Sequence, residues 1–362
     1  MNPTPRAPWR TFGLLAALIV IFAVFTFATG GMFLSPRNLS LLARQMSITA
    51  LLASGMVLVI VAGQIDLSVG ALAGLMGAVS ALAVTRFGVP LPLGVALVLV
   101  LGALLGALQG GIVARLGVPP FIVTLGGMLV FQGTLLGITR GVTVTPPPGY
   151  LVVGQSYLPP LFGLALGIVI AAGFAWHALR SRGAERVRAA GLALLGPAFA
   201  LLMNAYSGIP VPVLLLLMVT STLAVVATRT PFGRHLYAIG GNREAAFYSG
   251  VPISARITGV FALMGMLAGL AGVVLTARLG AATTEAGRMM ELDAIAAAVI
   301  GGTSLLGGRG SVWGALLGAL VMASLDNGMS LMDTEAFWQP ILKGAILVAA
   351  VTADLAGRRR DA

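Results

Sequence analysis

Long apolar blocks separated by short polar segments run through the whole chain. Their lengths match the roughly 17 to 25 residues that an α-helix needs to cross about 30 Å of hydrocarbon. Lipid offers the backbone no hydrogen-bond partners, so blocks of this kind are expected to be helical. The pattern predicts an all-α fold, a polytopic transmembrane helical bundle formed by one domain over residues 1–362.

The apolar blocks predict about twelve spans, with ten as the alternative if one adjacent pair does not cross. A proline-rich segment at 140–160 is too polar to span and is expected to be an external loop. The predicted spans are 12–28, 41–63, 68–84, 93–114, 120–139, 161–179, 189–205, 211–227, 254–277, 292–306, 312–331 and 338–355.

The composition indicates a membrane protein and excludes a soluble domain and cysteine-based sites. Hydrophobic residues make up 58% of the chain and charged residues only 9%, whereas soluble domains carry roughly 25% charged residues. The chain has no cysteine, which excludes disulfides, thiolate metal sites and cysteine catalysis. Its 49 glycines sit inside apolar runs, where small residues allow helices to pack closely in lipid.

The net charge of +11 reflects topology and not nucleic-acid binding. With the N-terminus inside, most arginines fall in the segments expected on the cytoplasmic side, so the positive-inside rule places both termini in the cytoplasm. A nucleic-acid partner is not expected, because such proteins need a solvated basic face. The arginines concerned are Arg115, Arg180, Arg182, Arg186, Arg188, Arg229, Arg234, Arg243, Arg309, Arg358, Arg359 and Arg360.

The segment GQIDLSVG (63–70) places Gln64, Asp66 and Ser68 between two apolar blocks. An ionisable residue near membrane depth is by default a functional candidate. Asp66 has three interpretations: a proton or cation site of a secondary transporter, a ligand of substrate hydroxyls, or a cap of the next helix. Capping is favoured, since a carboxylate suits the free N–H groups at a helix start.

A second interrupted segment, IGGTSLLGGRGSVWG (300–314), contains Gly301, Gly302, Gly307 and Gly308. These glycines are expected to break the helix, and irregular backbone at membrane depth is tolerated only where it is buried in protein or lines a water-filled path. The segment therefore predicts part of a translocation path, with close-packed helix glycines as the alternative. It weakly repeats the pattern at 63–78.

The longest polar connection, 228–253, mixes basic, aromatic and small residues and is predicted to dock on a cytoplasmic partner. Within it, NREAAFYSG is expected to form a short helix capped by Asn242, and Phe232 or Tyr237 to anchor the partner. The alternative is a solvated basic loop that only sets topology. The candidate coupling residues are Arg229, Phe232, Gly233, Arg234, Gly240, Asn242, Glu244, Ala245 and Gly250.

The sequence contains no motif that indicates an enzyme. Only His177 and His235 are histidines, with no carboxylate–histidine grouping beside them, and no G-x-x-x-x-G-K-[ST] phosphate loop occurs. No catalytic residue, metal site or cofactor is predicted. If ATP drives transport, its hydrolysis belongs to another polypeptide.

Four stretches together resemble the permeases of bacterial ATP-binding-cassette importers for ribose, xylose and related sugars. They are GMVLVIVAGQIDLSVG (55–70), PPFIVTLGGMLVFQG (119–133), RTPFGRHLYAIGGNREAA (229–246) and ELDAIAAAVIGGTSLLGGRGSVWG (291–314). The stretch NAYSGIPVPVLLLL (204–217) and the apolar pair at 161–205 resemble xylose-type members most. EAAFYSG (244–250) matches the first part of the importers' E-A-A-x-x-x-G pattern, without its later Leu-Pro pair.

This resemblance implies a multi-pass permease of the cytoplasmic (inner) membrane that imports a monosaccharide. It also implies a cytoplasmic ATPase gripped by the loop 229–252, an extracytoplasmic sugar-binding protein and a second permease copy. The family core is described as ten spans, so the pair at 161–205 is expected to be an insertion. An ion-coupled secondary transporter that uses Asp66 is the alternative function.

Overall fold

The computed structural model describes residues 8–181 and 183–361, and the part it describes is a bundle of fifteen helices. Two short 3₁₀ turns at Met32–Leu34 and Pro148–Leu151 join them. The helices are Pro8–Ala28 (α1), Pro36–Val61 (α2), Val69–Phe87 (α3), Leu91–Arg115 (α4), Pro120–Thr139 (α5), Val152–Gln155 (α6), Pro160–Arg180 (α7), Gly183–Asn204 (α8), Val211–Arg229 (α9), Pro231–Gly241 (α10), Arg243–Tyr248 (α11), Ile253–Leu279 (α12), Met290–Ile300 (α13), Val312–Leu331 (α14) and Trp338–Asp361 (α15).

Local sequence signals explain where many helices begin and end. Proline is the first residue of α2, α5, α7 and α10, a position where the missing N–H costs nothing. Ser35 and Ser311 accept hydrogen bonds from the first turns of α2 and α14. Gly88 and Gly280 follow α3 and α12 in the left-handed conformation that glycine adopts most readily.

Eight helices of the described part are long and apolar enough to cross a membrane: α2, α3, α4, α5, α7, α9, α12 and α14. The apolar parts of α1 and α8, 13–28 and 189–204, are shorter. A polytopic helical bundle is therefore confirmed, while the count of twelve spans and the sides of the termini stay predictions.

The predicted span at 292–306 is not one continuous helix. Helix α13 has only 11 residues, about 16 Å at 1.5 Å per residue, which is too short to cross a bilayer. It ends at Ile300 because the two glycines that follow turn the chain, Gly302 with φ of 89°. The segment 301–311 then continues without helix to the start of α14.

The interruptions and the predicted coupling segment lie at one end of the bundle, here called the break end. It carries the connections 62–68 and 301–311 together with α10, because Val61, Gly240 and Gly308 contact one another. At the opposite end, the loop 140–159 pairs with other connections through backbone bridges between Val144 and Ala282 and between Tyr157 and Pro210.

The core of the bundle depends on the close approach of α4 to α12. A Cβ added at Gly102 or Gly106 would collide with the carbonyl oxygens of Gly265 and Phe261, and one added at Gly265 would collide with that of Gly102. Two backbones meet here with no side chain between them, as small residues permit in membrane helices.

Helices α7 and α8 form a peripheral hairpin. They pack mainly against each other, with Gly167 of α7 against the backbone of Gly196 of α8. Elsewhere in the described bundle α8 packs against α2, and its Ala200 and Met203 pack with Ile209 and Val213. The prediction that 161–205 is an inserted pair stays a prediction.

Replacing Gly102 by valine is expected to destabilise the bundle by about 1–3 kcal/mol, the usual cost of overpacking a filled interface. Gly111 on the same helix is the matched control, because a Cβ there meets nothing within 4 Å. Thermal unfolding of the detergent-solubilised protein should show a lower Tm for Gly102→Val and a nearly unchanged Tm for Gly111→Val. Equal Tm values for the two variants would contradict the close α4–α12 packing.

Candidate translocation and coupling site

The first interruption, 62–68, is a buried polar turn. Gln64, Asp66 and Ser68 are 5%, 2% and 0% exposed. Asp66 Oδ1 accepts hydrogen bonds from the Ser68 backbone N–H at 2.8 Å and from the Ser68 hydroxyl at 2.7 Å. Gln64 Nε2 donates to the Ala62 carbonyl at 3.2 Å. The turn thus satisfies its own polar groups inside the bundle, as irregular backbone in lipid must.

The Ser68 hydroxyl extends this network to Gln109 of α4, whose amide oxygen lies 3.0 Å away. A hydroxyl has one proton, and the ionised carboxylate of Asp66 is the stronger acceptor. Hydrogen bonding therefore favours the Gln109 amide orientation in which Nε2 donates to Ser68 Oγ, which also gives a partner to that buried nitrogen. Three polar side chains join the turn to α4.

Asp66 stabilises the entry to α3, although not as a cap of its first turn. The N-cap residue is Ser68, and the carboxylate holds the N–H of Ser68 itself and not one of the N–H groups that follow. This is an Asx turn, in which the side chain replaces a backbone hydrogen bond two residues on. Asp66 therefore holds the residue that precedes α3, whereas the prediction was that it caps the first turn of the helix itself.

The second interruption, 301–311, uses its glycines in two ways. Gly302, Gly307 and Gly308 have φ of 89°, 86° and 70°, so each makes a turn that a side chain would strain. Gly301 instead packs against α14, where an added Cβ would collide with the Gly314 backbone. Both sequence interpretations, a helix break and close packing, therefore apply to different members of the group.

The two interruptions meet at the break end. The Gly308 N–H donates to the Val61 carbonyl at 2.9 Å, which satisfies one of the carbonyls that a helix C-terminus leaves unpaired. A Cβ on Gly307 would lie 3.2 Å from the Gly63 nitrogen. Residues predicted separately as path or helix-break positions therefore form one contact across the chain.

Helix α10 rests directly on this contact. Gly240 sits so close that an added Cβ would collide with the Val61 carbonyl and lie 2.7 Å from the Gly308 nitrogen. The Tyr237 hydroxyl donates to the Gly310 carbonyl at 3.0 Å. One short helix thus touches both interruptions through backbone contact and a hydrogen bond.

The other inward residues of α10 fix it to α9 and α12. Arg256 of α12 donates through Nε to His235 Nδ1 at 3.0 Å and lies 5.8 Å from the centre of the Phe232 ring. Gly233 packs against the backbone of Ala227. Phe232 and Tyr237 are half-buried and pack on this chain, so their role as anchors for a partner stays a prediction.

The outward surface belongs mostly to α11, which forms as predicted. Asn242 caps it, its Oδ1 accepting the Ala245 N–H at 2.9 Å, and Glu244 in the first turn suits the positive helix end. Of its six residues only Ala246 is buried, and the adjacent rings of Phe247 and Tyr248 are 65% and 83% exposed. Arg229, Arg234 and Gly250 are also exposed.

Sequence reasoning missed a half-buried ion cluster at the other end of α13. Lys343 Nζ lies 3.0 Å from Asp293 Oδ2 and 2.9 Å from Asp326 Oδ2. Asp293 belongs to α13, Asp326 to α14 and Lys343 to α15, so the three residues are far apart in the sequence. The sequence did contain a signal for this cluster. Asp326 lies within the apolar helix α14, and a charged residue inside a span is expected to have a partner.

Comparison with known proteins shows the family of the chain. The family described as "Branched-chain amino acid transport system / permease component" matches residues 38–351. This chain is a member of that permease family. The resemblance to importer permeases is therefore confirmed, and so is the prediction that the chain is a multi-pass transport subunit and not an enzyme.

Relatives similar to this permease along nearly its whole length are sugar permeases. The xylose transport system permease protein of Escherichia coli strain K12 is 49% identical, covering 97% of this chain and 93% of that protein. The corresponding protein of Haemophilus influenzae is 46% identical, covering 97% of each. The ribose import permease protein of Bacillus subtilis strain 168 is 36% identical, covering 89% and 86%. No solved structure matches this permease significantly.

Asp66→Asn is expected to keep most transport activity at a normal protein level, because the asparagine Oδ1 still accepts both hydrogen bonds from Ser68. Asp66→Leu is expected to lower the level of folded protein, because an unpaired buried N–H costs about 1–3 kcal/mol. Transport by the assembled transporter and the amount of protein in the membrane measure both effects. Loss of transport and of its pH dependence in Asp66→Asn, at normal protein level, would instead indicate a proton site.

Proposed function

We propose that this permease is the membrane subunit of an ATP-driven importer that carries a monosaccharide, D-xylose or a related pentose or hexose, across the cytoplasmic membrane. The observation that supports it most is the contact of α10 with both helix interruptions, in a chain whose close relatives are xylose and ribose permeases. A separate ATPase, an extracytoplasmic sugar-binding protein and a second permease copy complete the importer.

Charge supports an assignment of the break end to the cytoplasm. In the described part of the chain, the exposed charges of the break end are mostly arginines, with one acid, Glu244: Arg115, Arg229, Arg234, Arg243 and Arg309. At the opposite end, exposed arginines are largely offset by acids: Arg37, Arg86, Arg140 and Arg288 against Glu285, Asp333 and Glu335. Cytoplasmic segments carry the excess of arginine and lysine. The ATPase then meets α10 and α11 from the cytoplasm, and the sugar arrives at the opposite end.

The arrangement suggests how ATP is coupled to the path. A ligand or partner changes a conformational equilibrium only through contacts that differ between the two states. The ATPase grips the exposed α11, and α10 transfers its displacement to Val61 and Gly308, because Gly240 leaves no side chain to absorb the movement. Opening or closing the two interruptions then follows the nucleotide state.

Ala245→Glu tests this docking surface. Ala245 is exposed on α11, so a charged side chain there should leave the fold intact while it blocks the approach of a partner. We expect normal insertion, loss of ATPase co-purification and at least a tenfold loss of xylose uptake, equivalent to about 1.4 kcal/mol of docking energy. Affinity purification of the tagged permease and uptake of labelled xylose measure the outcome.

Ala205→Glu is the matched control, because Ala205 is exposed at the opposite end of the bundle and should retain the ATPase. Gly250 is a poorer test position, since its φ of 76° would strain any side chain placed there. Undiminished uptake by Ala245→Glu with the ATPase still bound would refute the docking assignment.

A further inference from the structure

A cavity of about 250 Å³ lies where α13, α14 and α15 meet. A cavity of about 150 Å³ already admits benzene, so this one has room for a six-membered sugar ring with its hydroxyls. Its walls are mixed: Leu292 and Leu347 are apolar, whereas Arg288, Asp293, Gln339 and Lys343 are polar or charged. A few polar groups in an otherwise apolar pocket are typical of small-molecule sites.

The cavity wall contains hydrogen-bonding groups that the protein does not use up. Lys343 gives one hydrogen bond to Asp293 and one to Asp326, and an ammonium group has three protons. Asp293 meets Lys343 through Oδ2 only, and a carboxylate accepts through both oxygens. A spare donor beside a spare acceptor complements vicinal hydroxyls, each of which both donates and accepts.

The same short helix joins this cavity to the glycine break. Helix α13 carries Asp293 and Ala296 at the cavity. It ends at Ile300, about 6 Å beyond Ala296 at 1.5 Å per residue, and Gly301 and Gly302 follow directly. Discontinuous helices form the substrate sites of many transporters. Charged groups in such a place are expected to mark a substrate pathway.

We propose that this cavity is a binding station for the transported monosaccharide, with Asp293, Lys343 and Gln339 binding its hydroxyls before it passes along α13 to the break at Gly301 and Gly302. The proposal rests on the proposed import function and adds the residues that recognise the sugar. A neutral polyol suits the site better than an anion, because Lys343 is already paired with two carboxylates and Arg288 with Glu285.

The absence of cysteine from the chain allows a direct test with the complete permease–ATPase complex in lipid nanodiscs. Gly344 lines the cavity, and a Cβ there meets nothing within 4 Å, so Gly344→Cys introduces one reactive thiol without a clash. D-xylose is expected to slow its reaction with a polar thiol reagent by a factor of 1 + [L]/Kd, about fivefold at four times Kd.

Two controls accompany the labelling. Gly149→Cys, in the loop at the opposite end and equally free of neighbours, should react at the same rate with and without xylose. Leucine, an amino acid in place of a sugar, should not protect Gly344→Cys. An unchanged rate at Gly344→Cys under saturating xylose would refute the proposal.

A kinetic variant separates sugar binding from a purely structural cluster. Gln339→Ala leaves the Lys343 ion pairs in place and removes one group of the cavity wall, so the KM for xylose uptake should rise about fivefold, as for one lost hydrogen bond, with kcat and protein level nearly unchanged. An unchanged KM would contradict the role of Gln339. A fall in protein level and kcat without a change in KM would indicate that the cluster only holds α15 in place.

Failure of this proposal is distinguishable from failure of the proposed function. Suppose that the unaltered complex imports xylose, that xylose does not slow the labelling of Gly344→Cys, and that Gln339→Ala leaves the KM unchanged. The importer assignment then stands, and the sugar binds elsewhere. If the complex imports no sugar at all, the proposed function itself is wrong.

Discussion

The close backbone contact at the break end is the constraint on which the rest of this permease depends. Val61 ends α2 with an unpaired carbonyl, Gly308 supplies its N–H at 2.9 Å, and Gly240 of α10 lies directly against both. Only glycine permits three segments to meet at this distance, because any Cβ at Gly240 would occupy the Val61 carbonyl. The contact joins α10 directly to the two interruptions.

Burial is what makes two interrupted helices tolerable in a membrane protein. Lipid cannot satisfy free N–H and C=O groups, so each interruption must find partners inside the protein. The turn at 62–68 does so through Asp66, Ser68 and Gln109. The segment 301–311 does so through α2 and through Tyr237 of α10. The polar groups that hold the second interruption therefore also join it to α10.

The sequence predicted features that depend on neighbouring residues and missed those that depend on distant ones. Asn242 as a cap and the turns at Gly302 and Gly307 follow from local chemistry, and the structure contains them. The break at Gly301 and Gly302 was expected, but the predicted span ran on to Leu306 because two leucines follow the break. The inward packing of Phe232 and Tyr237, and the pairing of Lys343 with two aspartates, arise from helices far apart in the chain, which periodicity does not reveal.

Distance measurements between paired spin labels test most directly whether α10 and the interruptions move as one body. The cysteine-free chain accepts labels at the exposed Ala238 of α10, at Leu306 in the second interruption and at Leu116 beyond α4. On ATP binding to the assembled importer, the 238–306 distance should stay constant while the 306–116 distance changes. A nucleotide-dependent change in the 238–306 distance with a constant 306–116 distance would contradict the account.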